Sequence, residues 1–203
     1  MNAPDPTRHA TPSAATTPDT AGGLARFFAP WRGSGGAPMP PAPGREIVWS
    51  WLGALIGIGA VAACGALLFD GIGLPLLIGS YGASAVLLFG ASQSPLAQPR
   101  NLLGGHLVSA VVGVLCWQLF HDTPALAQAL AVASAIAAMQ ATRTLHPPGG
   151  ATALIATLGT PEIVRSGWLF VPVCGVGGPV ILLLVALTIN NLAPGRRYPV
   201  TWR

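Results

Sequence analysis

The 203-residue chain is 52% apolar and only 8% charged, with a mean hydropathy of +0.60. A water-soluble domain carries about a quarter of its residues as Asp, Glu, Lys or Arg, so this chain lacks the charge to cover a soluble surface. Its net charge of +4 comes without a basic patch interleaved with aromatics, which argues against nucleic acid as a partner.

Residues 1–45 are rich in Pro, Ala, Thr and Gly and hold no apolar core sufficient for a signal peptide. They read as a disordered cytoplasmic tail. Within it, Leu24, Phe27, Phe28 and Trp31 are mixed with Arg26 and Arg32, a composition that suits the headgroup region of a bilayer as well as a plain linker.

From Glu46 onward the charges act as punctuation: Asp70, Arg100, Asp122, Arg143, the Glu162 and Arg165 pair, then Arg196. Six uncharged intervals of 18 to 30 residues lie between them. About 20 apolar residues cross the hydrocarbon core as a helix, and in lipid only helices or closed barrels satisfy their own backbone groups. The intervals lack the alternating polarity of barrel strands. The expected fold is therefore all-α, a polytopic transmembrane helical bundle of about six short spans. They fall near 47–69, 74–92, 102–120, 125–141, 146–159 and 167–192, the fifth being too short for a full crossing. The membrane domain is thus 46–195, and 196–203 is a short basic cytoplasmic C-terminus.

Short cytoplasmic loops retain Arg and Lys. With six crossings, Arg8, Arg26, Arg32, Arg45, Arg100, Arg143, Arg196, Arg197 and Arg203 share one side, and only Arg165 faces the other. Both termini are accordingly expected in the cytoplasm, in an integral protein of a bacterial inner membrane. Cys64, Cys116 and Cys174 each sit alone within a span, without the spacing of metal ligands, so neither disulfide, metal nor cofactor is expected.

The second and fifth spans contain a repeat. Gly82-Ala83-Ser84-Ala85-Val86-Leu87 matches Gly150-Ala151-Thr152-Ala153-Leu154-Ile155 position for position, at an offset of 68, allowing Ser for Thr and aliphatic for aliphatic. Three crossings separate the copies, so they enter the membrane from opposite sides. That is an inverted three-plus-three repeat with half-helices, an arrangement of secondary transporters in which interrupted helices carry the substrate site. Both copies are preceded by non-helical signals: the first stretch, Leu74 to Gly82, is broken by Pro75, Gly79 and Gly82, and the second reads His146-Pro147-Pro148 before its glycines. Proline is tolerated at the first helical position, where its missing N–H would be unpaired anyway. Gly149, Gly150 and Ala151 then present backbone N–H groups at a positive helix end, which binds anions readily. Half-helices pointing at each other from opposite leaflets would converge on one pocket.

The run His146-Pro147-Pro148-Gly149-Gly150-Ala151-Thr152-Ala153-Leu154 resembles the signature of the HPP family of integral membrane proteins. The upstream segment from Gly82-Ala83-Ser84-Ala85 through Ser94-Pro95-Leu96-Ala97-Gln98-Pro99-Arg100-Asn101 to Gly104-Gly105-His106 is similar to that family's other typical stretch. The resemblance covers about residues 45 to 195. Plant plastid and cyanobacterial members are associated with nitrite transport, which the resemblance implies loosely for this chain.

The candidate substrate-binding residues are His146, Pro147, Pro148, Gly149, Gly150, Ala151, Thr152, Arg143, Ser80, Gly82, Ser84, His106 and Arg100. Arg143 and His146 would add positive charge to the second helix start, although Arg143 also reads as a boundary charge and His146 as a cap. His106 lies one turn into the third span, where an ionisable residue is a functional candidate by default; an interfacial His bonded to a loop carbonyl is the plainer alternative. Arg100 could face a vestibule or simply anchor the cytoplasmic side. Ser80, Ser84 and Thr152 offer hydroxyls to an oxyanion, yet such residues also pack at helix contacts. No Asp or Glu falls inside a span, which favours an anion over a cation. No acid and base pair, GxSxG or HExxH is present, so an enzyme is not expected. The reading is a transporter or channel for a small inorganic anion, nitrite first, with a non-transporting sensor or scaffold module as the alternative. The small-residue ladders Gly53-Gly57 and Gly105-Ser109-Gly113 either close the bundle or join two copies as a homodimer.

Overall fold

The computed structural model describes residues 23–33, 35–36, 40–68, 76 and 78–202, so most of the expected tail lies outside the described residues. The chain divides into two units, Met1–Pro41 and Ala42–Arg203. In the first, helix α1 (Gly23–Phe28) runs into a 3-10 turn at Ala29–Arg32. Phe27, Phe28 and Trp31 cluster there with ring centroids 5.1 to 5.9 Å apart.

The second unit contains α2 (Gly44–Leu68), α3 (Ser80–Ala85), α4 (Pro99–Phe120), α5 (Pro124–Ala141), α6 (Pro147–Ala156), α7 (Pro161–Ser166) and α8 (Gly178–Leu192), with no strand among the described residues. α3 continues as a π-helical turn over Val86–Gly90, and a π-helical stretch, Val171–Gly177, leads directly into α8. Among the described residues, four helices are long and apolar enough to cross a bilayer: Gly44–Leu68, Pro99–Phe120, Pro124–Ala141 and Val171–Leu192. The second and fifth expected spans are shorter, with described helix only over Ser80–Gly90 and Pro147–Ala156. A ten-residue helix is about 15 Å long, half the roughly 30 Å hydrocarbon core. These two are the half-helices of the bundle.

Helix starts follow local chemistry. α4, α5, α6 and α7 each begin at a proline, whose fixed φ and absent N–H fit the first helical position. α5 ends in a Schellman motif: Arg143 N–H donates to the Gln140 carbonyl, Thr144 N–H donates to the Met139 carbonyl, and Arg143 takes φ 56°. Glycine is the usual occupant of that left-handed position; here it is arginine.

Packing is inside-out relative to a soluble protein. Trp51, Leu67, Leu119 and Leu192 point outward at 64%, 82%, 71% and 63% exposure. The buried core holds Tyr81, Leu88, Phe89, Leu102, Phe170 and Leu182, while small residues bring backbones together at particular helix contacts. Ala127, Ala131 and Ala135 recur at every fourth position of α5 and are fully buried. Both sequence ladders are used within the chain. Gly53 and Gly57 receive the ring of Phe89, and Gly113 lies under α6, where a Cβ would stand 2.7 Å from the Ala153 carbonyl.

The C-terminal residues are docked rather than trailing. Arg196 donates to Glu46 Oε2 (2.7 Å), the Glu46 carbonyl (3.0 Å), Ser50 Oγ (2.8 Å), the Phe89 carbonyl (3.1 Å) and Asn190 Oδ1 (2.9 Å). One guanidinium therefore ties together the start of α2, the end of the α3 segment and the end of α8. Tyr198 Oη donates to the Ala97 carbonyl, and Gln98 Oε1 accepts from Val200 N–H. Burial pushes the Tyr198 phenol up from its ordinary value.

Candidate functional site

The half-helices α3 and α6 lie side by side against α4. Thr152 Oγ1 donates to Ser80 Oγ at 2.9 Å, and Ser84 Oγ lies 2.9 Å from His146 Nε2. Numbering thus rises along α3 as it falls along α6, so the two run in opposite directions. Their N-terminal ends pass one another instead of meeting head to head, because Ser80 sits opposite Thr152 and His146 sits opposite Ser84. The expected convergence of two positive ends on one pocket is replaced by a lateral seam.

That seam is a continuous row of polar side chains. His146 Nδ1 donates to the Leu96 carbonyl at 2.8 Å, its Nε2 meets Ser84 Oγ, and Ser84 Oγ lies 2.8 Å from His106 Nε2. His106 Nδ1 in turn lies 2.7 Å from Thr152 Oγ1. Ser80, Ser84, His106, His146 and Thr152 are each at most 1% exposed. The two imidazole rings are tilted at 56°, 5.1 Å between centroids. Tyr81 packs edge-on to His106 at 5.4 Å and donates to the Cys174 carbonyl at 2.6 Å. Buried polar groups in a membrane interior are costly unless partnered. Here every member of the row has a partner.

Local sequence explains the placement. His146 occupies the N-cap position of α6 but makes no side-chain cap bond; Pro148 removes one N–H that such a cap would serve, the Gly149 N–H expected to be free for an anion donates instead to the His146 carbonyl at 2.8 Å, and the ring turns to Ser84 and Leu96. His106 reaches the seam because α4 lies close to α6. A Cβ on Gly105 would stand 2.5 Å from His146 Cβ, and one on Gly149 would stand 2.7 Å from Ser109 Oγ and 2.9 Å from the Gly105 carbonyl. Ser109 is fully buried, and its hydroxyl is the buried side-chain polar atom without a hydrogen-bond partner among the described residues.

Five of the sequence candidates, Ser80, Ser84, His106, His146 and Thr152, are thus brought together. Pro148 and Gly149 are buried at the adjoining α4 contact, whereas Pro147 is exposed. Gly150 and Ala151 are half-buried, and a Cβ on Gly150 would meet only Val132, at 3.9 Å. Gly82 is exposed and lines a groove of ≈ 720 Å³ between α2 and α3. Arg143 is exposed at the α5 cap. Arg100 is also exposed, and its Nη2 donates to the Thr142 carbonyl at 3.0 Å. The charge these arginines carry therefore sits at the rim of the bundle, away from the seam. Sequence reading passed over Tyr81, the Leu96 carbonyl and Ser109; only Tyr81, an aromatic hydroxyl inside an apolar span, carried a signal that could have found it.

A lipid-facing helical bundle with a sealed polar seam between two half-helices defines a polytopic integral membrane protein. The family pattern described as HPP, transmembrane region, matches residues 39–199. The chain belongs to that family. It is 44% identical over 184 residues to one Dictyostelium discoideum protein described as a transmembrane protein, and 45% identical over 181 residues to another. These matches take in 88% and 87% of this chain but 64% and 57% of the relatives, so the chain spans about three-fifths of their length. No solved structure matches the chain.

Proposed function

We propose that the chain moves a small inorganic anion across the membrane, nitrite being the leading candidate, along the seam between α3 and α6. The observation that carries this reading is the buried row Ser80, Thr152, His106, Ser84 and His146 at the meeting of two half-helices. Imidazole and hydroxyl groups are the hydrogen-bond donors a small oxyanion requires, and no carboxylate is bonded into the row. Ser109, with its unspent hydroxyl beside the first turn of α6, adds a further donor. The resemblance to nitrite-associated members of the family points the same way.

The matched hexapeptides on antiparallel half-helices are the arrangement an inverted repeat produces, and we read α3 and α6 as its two copies. A second reading, a non-transporting membrane module, is favoured by the closure of the seam, whose five side chains are each at most 1% exposed. Flux assays on proteoliposomes with nitrite, nitrate, formate and chloride decide between the two. Uptake above protein-free vesicles for at least one anion is expected, and its absence for all four would overturn the transport reading.

A further inference from the structure

The seam has an unusual proton count. A backbone carbonyl only accepts, so His146 Nδ1 must carry a proton toward Leu96. Beyond that fixed end, two donor orders satisfy every ring nitrogen without moving a heavy atom. In the first, the Thr152 hydroxyl turns its proton from Ser80 to His106 Nδ1, His106 Nε2–H donates to Ser84, and Ser84 donates to His146 Nε2. Both rings are then neutral. In the second, Thr152 donates to Ser80 Oγ (2.9 Å) or the Pro148 carbonyl (3.4 Å), His106 Nδ1–H donates to Thr152, Ser84 donates to His106 Nε2, and His146 Nε2–H donates to Ser84. His146 is then an imidazolium, and the row holds one proton more. A second added proton is opposed by charge: two positive rings would stand 5.1 Å apart.

Among the described residues, no carboxylate is bonded to either ring to neutralise that added charge. Tyr81 from α3 packs on the His106 ring with its hydroxyl spent on the Cys174 carbonyl of the Val171–Gly177 stretch, while Met139 from α5 and Ser109 from α4 lie against the neighbouring Gly149, and none of these carries a charge. The described carboxylates are engaged elsewhere, Glu46 with Arg196, Asp122 with His121 and Glu162 with Arg165. A buried cation without a counter-ion is expensive, and a small anion in the seam is the natural complement.

Building on the transport reading above, we propose that the Thr152, His106, Ser84 and His146 chain is a one-proton site whose charge pairs with the transported anion, so that anion and proton cross together. An N–H bond forms on one imidazole when the proton enters from solvent with the anion. In the interval His106 Nε2 gives its proton to Ser84 Oγ while the Ser84 hydroxyl proton passes to His146 Nε2, and it is that His146 N–H bond that breaks when proton and anion leave.

Two measurements test it. The chain has four histidines, so a His9→Gln, His121→Gln protein labelled with nitrogen-15 histidine reports the pair alone. Acidification is expected to add one proton to the pair, with His106 changing from the Nε2–H to the Nδ1–H tautomer. Ser84→Ala, which disconnects the rings, should abolish that coupled tautomer change. Uptake of two protons, no uptake while circular dichroism shows the fold intact, or a His106 that keeps Nε2–H would overturn the site. In proteoliposomes with an internal pH dye, nitrite and nitrate are each expected to carry one proton per anion above protein-free vesicles. Anion flux without proton movement overturns the coupling and leaves the transport reading standing; absence of any anion flux overturns both.

Discussion

Ser84 and Thr152, which occupy equivalent positions in the two matched hexapeptides, bond to opposite nitrogens of a single ring, that of His106, at 2.8 and 2.7 Å. The equivalent hydroxyls of two antiparallel half-helices thus hold one imidazole from a third helix between them. The ring is fixed from both sides, and so are the helices.

Removing the Ser84 hydroxyl should be costly in a specific way. Ser84→Ala leaves the Nε2 atoms of both His106 and His146 buried without partners, a loss of about 1–3 kcal/mol for unsatisfied buried groups. Thermal unfolding in detergent measures it. A midpoint equal to the parent's would mean that the rings are satisfied by another route.

Adjacent glycines should respond oppositely. A methyl at Gly149 meets Ser109 Oγ at 2.7 Å and the Gly105 carbonyl at 2.9 Å, whereas one at Gly150 meets only Val132 at 3.9 Å. Gly149→Ala should therefore force α4 and α6 apart at a cost of about 1–3 kcal/mol, and Gly150→Ala should be tolerated. Parallel measurements of stability and anion flux compare the pair; equal effects at both positions would contradict the α4 and α6 packing.

Arg143 separates charge from backbone geometry. Relief of its left-handed φ of 56° makes Arg143→Gly stabilising by about 1 kcal/mol, while Arg143→Gln retains the conformational cost. If charge at the rim attracts the anion, both variants lose uptake equally, and only the glycine gains stability. Uptake kinetics at low and high salt, read beside unfolding midpoints, check both halves.

Arg196 should matter more for stability than its position after the last span suggests. Its side chain is 7% exposed and bonded to groups of three elements, although Glu46 itself is 30% exposed, so Arg196→Gln leaves the Phe89 carbonyl and Asn190 side chain short of a donor and should cost about 1–3 kcal/mol. Replacing Glu46 and Arg196 together should cost less than the sum of the single changes. Unfolding midpoints of the three variants test this, and strict additivity would argue against a direct pair.

Orientation is open to a direct check. Nine arginines on one side against one on the other predict that reporters after Arg203 and within residues 122–124 lie on opposite sides of the membrane, with the C-terminal one cytoplasmic. Finding both on the same side contradicts the six-segment topology.

Much of the architecture was legible in the residues. Charges at Asp122 and Arg143 bound α5 to within a few residues, and prolines at 99, 124, 147 and 161 mark four helix starts, because both signals act locally. The hexapeptide match identified the half-helices and, within them, Ser84 and Thr152. His106 was a candidate because an imidazole in an apolar span is a functional residue by default, although an interfacial histidine bonded to a loop carbonyl was the plainer reading. Less legible was which charges would matter. Arg100, Arg143 and Arg196 look alike as boundary arginines, yet the first two face outward and the third is buried among α2, α3 and α8.

The sequence by itself determined that the chain is helical, lies in a membrane and contains two short helices of similar composition, because hydropathy, charge spacing and proline placement are properties of consecutive residues. Only the tertiary structure decided that the half-helices pass side by side, that His106 from α4 sits between Ser84 and Thr152, and that His146 turns away from its helix to reach Ser84 and Leu96. These contacts join residues 22 to 62 positions apart. They depend on how closely α4 approaches α6, which the absent side chains of Gly105, Gly113 and Gly149 permit only once the helices have packed.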